Sequence, residues 1–285
     1  MADLSGRTMI MSGGSRGIGL AIGIAAARQG ANVVLLAKTD VPDPRLPGTV
    51  HTAAAEIEQA GGQALAVVGD VRDEESVAGA VALAVQRFGG IDICVNNASA
   101  IALDSTENLP VKRFDLMQQI QLRGTYLLTR ACLPHLREGT NPHILSLSPP
   151  LNLSPRWLGA HPAYTLAKYG MSLLTLGWAA EYAEAGVAAN CLWPETLIAT
   201  AAVRNLLGGQ AAMTKARTPQ IVADAALHIL SQPASTTTGN TFIDVDVLRQ
   251  AGVTDLTSYG GGGDLEYDIF IDPAGRQPAG RQPAL

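Results

Sequence analysis

Two short constellations in this chain of 285 residues carry side chains suited to chemistry. Ala163-Tyr164-Thr165-Leu166-Ala167-Lys168 spaces a phenol and an ammonium four residues apart, so a helix there presents both on one face. A nearby ammonium favours the phenolate and lowers the phenol's pKa. That equips Tyr164 to exchange a proton with a carbonyl or alcohol oxygen, with Lys168 as its partner. The other constellation is Gly13-Gly14-Ser15-Arg16-Gly17-Ile18-Gly19, which follows an apolar run and opens a helical pattern. Glycines at 13, 17 and 19 permit a tight turn, close backbone approach to a pyrophosphate and tight helix–strand contact. The N–H groups at the start of the following helix then face the phosphates, which makes Gly13, Ser15, Arg16, Gly17, Ile18 and Gly19 candidate cofactor contacts. Either pattern alone is common: one as an innocent surface pair, the other as an ordinary Gly-rich βα turn. Together they point to a dinucleotide held beside a proton donor.

Positioning these groups requires alternating elements, and the sequence supplies them. Short apolar runs at 8–12, 32–36, 64–68, 91–95, 143–147, 187–192 and 241–244 alternate with helix-period stretches such as 17–29, 74–87 and 113–136. The expected fold is α/β: a single Rossmann-type doubly wound parallel sheet of about seven strands, flanked by helices on both faces. A hydrophobic content of 47% with only 16% charged residues suits such a buried sheet. Residues 1–259 read as one dinucleotide-binding domain. Residues 41–50, with three prolines and a glycine, read as a loop after the second strand, on the adenosine side. Residues 260–285 read as a tail. Its Gly-rich start is a linker, 264–272 (DLEYDIFID) has the apolar content to dock on its own active site or on a neighbouring subunit, and the AGRQP-repeating stretch 274–285 is expected to be disordered.

A net charge of −5 with no basic block gives nucleic-acid binding no electrostatic footing. No apolar run reaches the length of a membrane span, and the N-terminus shows no secretory signal pattern. Cys94, Cys132 and Cys191 sit in apolar stretches and read as reduced core residues of a cytoplasmic protein. The five histidines are scattered and neither CxxC nor HExxH occurs, so no metal site is expected.

Charge also bears on the choice of cofactor. A strand-ending acid normally takes the ribose 2′-hydroxyl of NAD(H), but the second strand here runs into Ala37-Lys38-Thr39. A cation at 38, with Arg16 pointing to the same region, suits a 2′-phosphate and favours NADP(H) over NAD(H). The plainer alternative is that Lys38 is a solvated loop lysine and Arg16 a phosphate-proximal charge.

With both constellations in place, the chain resembles the short-chain dehydrogenase/reductase family over nearly its whole length. The resemblance implies that Asp70 and Val71, in Val67-Val68-Gly69-Asp70-Val71, contact the adenine. It implies that Asn97 and Ala98, in Asn96-Asn97-Ala98-Ser99, line the cofactor, that Pro194 and Thr196 close over the nicotinamide, and that Lys168 also holds the ribose. A finer likeness is to a hydroxysteroid dehydrogenase-like branch. It rests on Ala37-Lys38-Thr39 with Pro42 and Pro44, Asn96-Asn97-Ala98-Ser99-Ala100-Ile101, Ser148-Pro149-Pro150-Leu151-Asn152-Leu153, AYTLAKYGMS at 163–172, and Trp193-Pro194. Members of that branch can carry a sterol-carrier-like domain, whereas this chain reads as the oxidoreductase unit only. The resemblance further implies a homo-oligomer, tetramer or dimer, using 113–136 and 169–182, whose apolar residues suit an interface or a core equally.

Two members of the family's catalytic quartet are altered. Gln121 stands where the relay asparagine is expected, carrying the same amide on a longer stem. The family serine falls on Pro149, which has neither hydroxyl nor backbone N–H. Ser148 is then the candidate hydroxyl donor, with Ser146 sharing its facing deeper in the strand; otherwise both merely line the strand end. The segments 151–162 and 195–210 would wall a substrate pocket for a hydrophobic, lipid-like or steroid-like molecule, or simply pack under a lid. Three activities remain open: carbonyl/secondary-alcohol interconversion, cofactor binding with little turnover, and enoyl reduction or dehydration.

Overall fold

A computed structural model describes residues 3–43, 48–206 and 208–273. Seven strands form one parallel sheet: β1 (Thr8–Ser12), β2 (Asn32–Ala37), β3 (Gln63–Val68), β4 (Ile93–Asn96), β5 (His143–Ser146), β6 (Ala188–Trp193) and β7 (Thr241–Ile243). Their order is β3-β2-β1-β4-β5-β6-β7, so the strand order reverses between β1 and β4. This is the expected doubly wound architecture. Ligands bind such sheets beyond the carboxyl ends of the strands at the reversal.

Alternate residues of each strand feed two cores. Met9 and Met11 of β1 pack with α1 (Gly17–Arg28), α10 (Gln220–Ser231) and α11 (Asp244–Gln250) on one face. Ile10 packs with α3 (Glu74–Phe88), α5 (Gly124–Leu136) and α7 (Pro162–Glu181) on the other. Both faces being covered explains why the strands read as continuous apolar runs instead of alternating ones. Cys94, Cys132 and Cys191 are all free and buried.

Elsewhere the elements depart from the sequence pattern in detail. The loop expected through residue 50 ends sooner, because Thr49 caps α2 (Val50–Gln59): its hydroxyl accepts from the Thr52 N–H, and the Thr52 hydroxyl accepts in return from the Thr49 N–H. Residues 44–47 of that loop lie outside the described residues. The single helix expected over 113–136 is α4 (Val111–Met117), a π-helical turn at Gln118–Arg123, and α5. The 151–162 segment holds the short α6 (Pro155–Ala160). The 195–210 segment contributes α8 (Ala201–Leu206) and the start of α9 (Gly209–Thr214). The stretch expected to be disordered, 274–285, lies outside the described residues. Among the described residues, no helix is long and apolar enough to cross a membrane, and no group of His, Cys, Asp or Glu could hold a metal ion.

Candidate active site

At the strand-order reversal a cleft of about 1120 Å³ runs from the glycine turn to Tyr164. Gly13 adopts φ +74° and donates its N–H to the Leu36 carbonyl at 2.9 Å, which folds the turn onto β2. A Cβ on Gly19 would lie 2.5 Å from Asn97 Nδ2 and 2.8 Å from the Gly13 carbonyl, so this position demands glycine. Asn97 Nδ2 donates to that same carbonyl at 2.8 Å, and Ser12 Oγ accepts the N–H groups of Asn97 and Ala98 at 3.2 Å each. The ends of β1 and β4 are thereby tied together beneath the cleft. No side chain caps the N-terminus of α1, so its first-turn N–H groups are free to meet a bound anion.

At the far end, Arg16 donates to Thr39 Oγ1 at 2.7 Å and to the Gly48 carbonyl at 3.0 Å. Lys38 lies 3.2 Å from Asp70, which Arg72 grips with its Nε and Nη2. The Arg72 guanidinium, with lesser help from Lys38, holds the Asp70 carboxyl far below the usual carboxylate range.

The reactive end is set by α7, where Pro162 occupies the first turn and Tyr164 and Lys168 follow on one face. Both side chains are buried, Tyr164 to 3% exposure. Lys168 Nζ donates to the Leu147 carbonyl at 2.9 Å and sits 5.1 Å from the centre of the Trp193 ring. Burial draws its pKa down to about 7, opposed by the Asp268 carboxylate. Burial also drives the Tyr164 phenol well above its ordinary value. Asp268 adds to that rise and the Ser99 hydroxyl counters it. This runs against the expectation that the ammonium would lower the phenol's pKa: at so buried a position the cost of desolvating a phenolate is the largest influence.

Asp268 reaches the site on residues 265–272, which fold back over the cleft. Leu197 N–H donates to the Glu266 carbonyl at 2.9 Å and Asp268 N–H to the Glu195 carbonyl at 3.0 Å, while Thr196 and Tyr267 form an antiparallel bridge. Trp193 Nε1 donates to the Ile269 carbonyl at 2.9 Å. Asp272 accepts from Asn152 Nδ2 at 2.7 Å and Trp157 Nε1 at 3.0 Å. Between these anchors Phe270 fills a box of Trp157, Tyr164, Tyr169 and Trp193.

The cofactor-side residues expected from the sequence all line this cleft except Thr196, which is buried beneath the Tyr267 bridge with its hydroxyl unpartnered. Ser148 and Gln121 are not brought to the cleft wall. Ser148 Oγ is fully buried without a hydrogen-bond partner and faces the Cys191 thiol. Ser146 Oγ accepts from Thr175 Oγ1 at 2.7 Å in the same polar cluster under α7. Gln121 lies in the π-helical turn, where its Oε1 accepts the Ala100 N–H at 3.2 Å and its Nε2 has no partner. The hydroxyl that does line the cleft near Tyr164 belongs to Ser99. Its signal was present in the Asn-Asn-Ala-Ser segment, where the family's Asn-Asn-Ala-Gly has no side chain at the last position.

A family profile described as enoyl-(acyl carrier protein) reductase matches residues 13–246. Hydroxysteroid dehydrogenase-like protein 2 of Danio rerio is 53% identical over 271 residues, covering 94% of this chain. The chain belongs to the short-chain dehydrogenase/reductase family. It spans 65% of the length of that Danio rerio relative. A short chain dehydrogenase structure from Mycobacterium thermoresistibile is 57% identical, covering 95% of this chain and 96% of that one with a TM-score of 0.90. A short chain dehydrogenase from Mycobacterium paratuberculosis bound to NAD shares the fold at 20% identity, with a TM-score of 0.74 over 85% of this chain and 97% of that one. Short-chain dehydrogenase/reductases are oxidoreductases that bind a nicotinamide dinucleotide. The uncapped α1 N-terminus, the glycine-only turn and the length of the cleft fit one.

Proposed function

We propose that this short-chain dehydrogenase/reductase interconverts a carbonyl and a secondary alcohol with NADP(H), on a hydrophobic, lipid-like or steroid-like substrate. The observation that carries the reading is the convergence of Tyr164, Lys168 and Ser99 on one end of the cleft whose other end is the glycine turn. Bound at that turn, the cofactor would supply the hydride. Tyr164 gives its phenolic proton to the substrate oxygen, and the Lys168 ammonium, fixed on the Leu147 carbonyl, steadies the phenolate that remains. Lys168 would also hold the cofactor's ribose. Ser99 takes the donor role to the developing oxyanion, while Ser148 and Gln121 support the site from behind. Pro194 and Thr196 would close over the nicotinamide. Trp193, Ile101 and Ile269 give the substrate end an apolar wall.

NADP(H) is favoured over NAD(H) because β2 ends in Ala37-Lys38-Thr39 with no acid, and Arg16 is tethered to Thr39 beside it. The family profile's own description favours a second reading, reduction of an enoyl thioester, for which the same phenol and ammonium would serve. A homo-oligomer, tetramer or dimer, is supported by exposed apolar side chains on α5 and α7: Tyr126, Leu166 at 54% and Leu173 at 59%. Three unpaired buried cysteines fit the reducing cytoplasm.

NADPH oxidation across a panel of ketones, aldehydes and enoyl thioesters tests this. Carbonyl-dependent turnover that depends on Tyr164 supports the reading. Background rates on every carbonyl contradict it, and turnover on enoyl thioesters alone selects the second reading.

A further inference from the structure

Among the described residues, two acids line the cleft. Asp70 stands at the adenosine end, held by Arg72 and Lys38. Asp268 stands at the reactive end and comes from outside the sheet, on the returning segment. Its backbone is fixed by the Glu195 carbonyl, and its Oδ1 accepts the Ile269 N–H at 2.6 Å. The two residues that follow it are fixed to the catalytic pair's own surroundings. Ile269 takes the indole N–H of Trp193, the ring beneath Lys168, and Phe270 packs on the Tyr164 ring. This segment therefore places one carboxylate on the cleft wall that Tyr164 and Lys168 also line.

Among the described residues, Lys168 otherwise has no anionic partner. Its contacts are a carbonyl oxygen, the Met171 sulfur and the Trp193 ring. An ammonium in such surroundings sheds its proton unless a counter-charge is present. The charged groups facing Asp268 are Lys168 on α7 and Asp244 at the start of α11; Asp244 in turn is influenced by Arg217 and Asp246.

We infer that Asp268 is a positioning residue of the reaction: it keeps Lys168 an ammonium and keeps Tyr164 protonated until the substrate oxygen takes the proton. The inference rests on the oxidoreductase reading above. The electrostatics agree in sign. Burial raises the Asp268 carboxyl to about 7, and Lys168 opposes that rise; burial lowers Lys168 to about 7, and Asp268 opposes that fall. The two therefore titrate as a pair. Replacing the carboxylate by a neutral amide removes the support from Lys168 and lets the Tyr164 proton leave more readily. Both changes move the loss of the protonated, charged-lysine site to lower pH.

The chain has four lysines, Lys38, Lys112, Lys168 and Lys215, so the side chain of Lys168 can be followed by NMR after 13C-lysine labelling, with Lys168→Met for assignment. In Asp268→Asn, which retains the Oδ1 acceptor for the Ile269 N–H, Lys168 should titrate about one pH unit lower in the cofactor-free protein. The alkaline limb of NADPH-dependent carbonyl reduction should fall by a similar amount, and Asp268→Glu should move both back towards wild type. An unchanged Lys168 titration in a folded Asp268→Asn chain would overturn the inference. So would a shifted titration with an unmoved pH–rate profile. If Tyr164→Phe kept wild-type turnover, the oxidoreductase reading would be the one to fail. The lysine titration, which needs neither cofactor nor substrate, would still decide whether Asp268 holds the charge.

Discussion

The ring of Phe270 lies nearly parallel to that of Tyr164, tilted by 12° with centroids 6.2 Å apart. A residue three short of the last described position is thus part of the wall around Tyr164. Phe270 is 1% exposed, in left-handed backbone at φ +76° that the anchors on either side of it must hold. Phe270→Ala should lower the unfolding free energy by at most about 3 kcal/mol, the low end for a buried phenylalanine, because the segment can detach without opening the sheet. It should also widen the range of ketones reduced. Urea unfolding and a substrate panel graded by bulk check the two halves; unchanged selectivity would show that Phe270 does not bound the pocket.

The proposed cofactor preference is tested at Lys38. Lys38→Asp places a second carboxylate beside Asp70 and opposite any 2′-phosphate. The NADPH-over-NADH preference in kcat/KM should drop roughly 10- to 100-fold, the worth of one or two charge-assisted contacts. Steady-state kinetics with both cofactors measure it, and an unaltered ratio would remove Lys38 from the phosphate site.

Two serines compete for the donor role. Ser99→Ala should reduce kcat by about 10²-fold, as loss of an oxyanion donor does. Ser148→Ala should leave kcat within about threefold, because its hydroxyl is buried against Cys191 and unpartnered. The reverse order of effects would return the role to Ser148.

Asp244 supplies a pH signature of stability. Its Oδ1 accepts the N–H groups of Glu195 at 2.9 Å and Val245 at 2.7 Å, while burial raises its carboxyl to about 7. Because the folded value lies above the unfolded one, its contribution is fullest below about pH 4 and is lost as pH rises through 7. Asp244→Asn keeps the Oδ1 acceptor and should flatten the decline in unfolding free energy between pH 5 and pH 8, followed by urea unfolding, by an amount on the order of 1 kcal/mol or more. Parallel curves for the two chains would contradict this.

The sheet was readable because each strand is buried on both faces and so appears as an uninterrupted apolar run bounded by turns. The glycine-turn end of the cleft was readable for a related reason: Gly13 and Gly17 take positive φ and Gly19 leaves no room for a Cβ, so the turn has few substitutes for them. The substrate half depends on which way single side chains turn at the end of β5. Ser148 faces the Cys191 cluster, and no periodicity distinguishes that from facing Tyr164. Asp268 lies 100 residues beyond Lys168, and only the bridge from Tyr267 to Thr196 brings them together. Local pattern carries no trace of such a pairing, although the apolar content of DLEYDIFID did mark the segment as one with reason to dock.

The central claim is that Tyr164 donates the proton in an NADP(H)-dependent carbonyl reduction, and a single labelling experiment addresses it. NADPH deuterated at its reactive carbon, a ketone that the chain turns over, and mass spectrometry of the product report whether hydride reaches the carbonyl carbon. Wild type should yield alcohol deuterated there, and Tyr164→Phe should form it at least about 10²-fold more slowly. Deuterated alcohol formed equally fast by Tyr164→Phe would contradict the account.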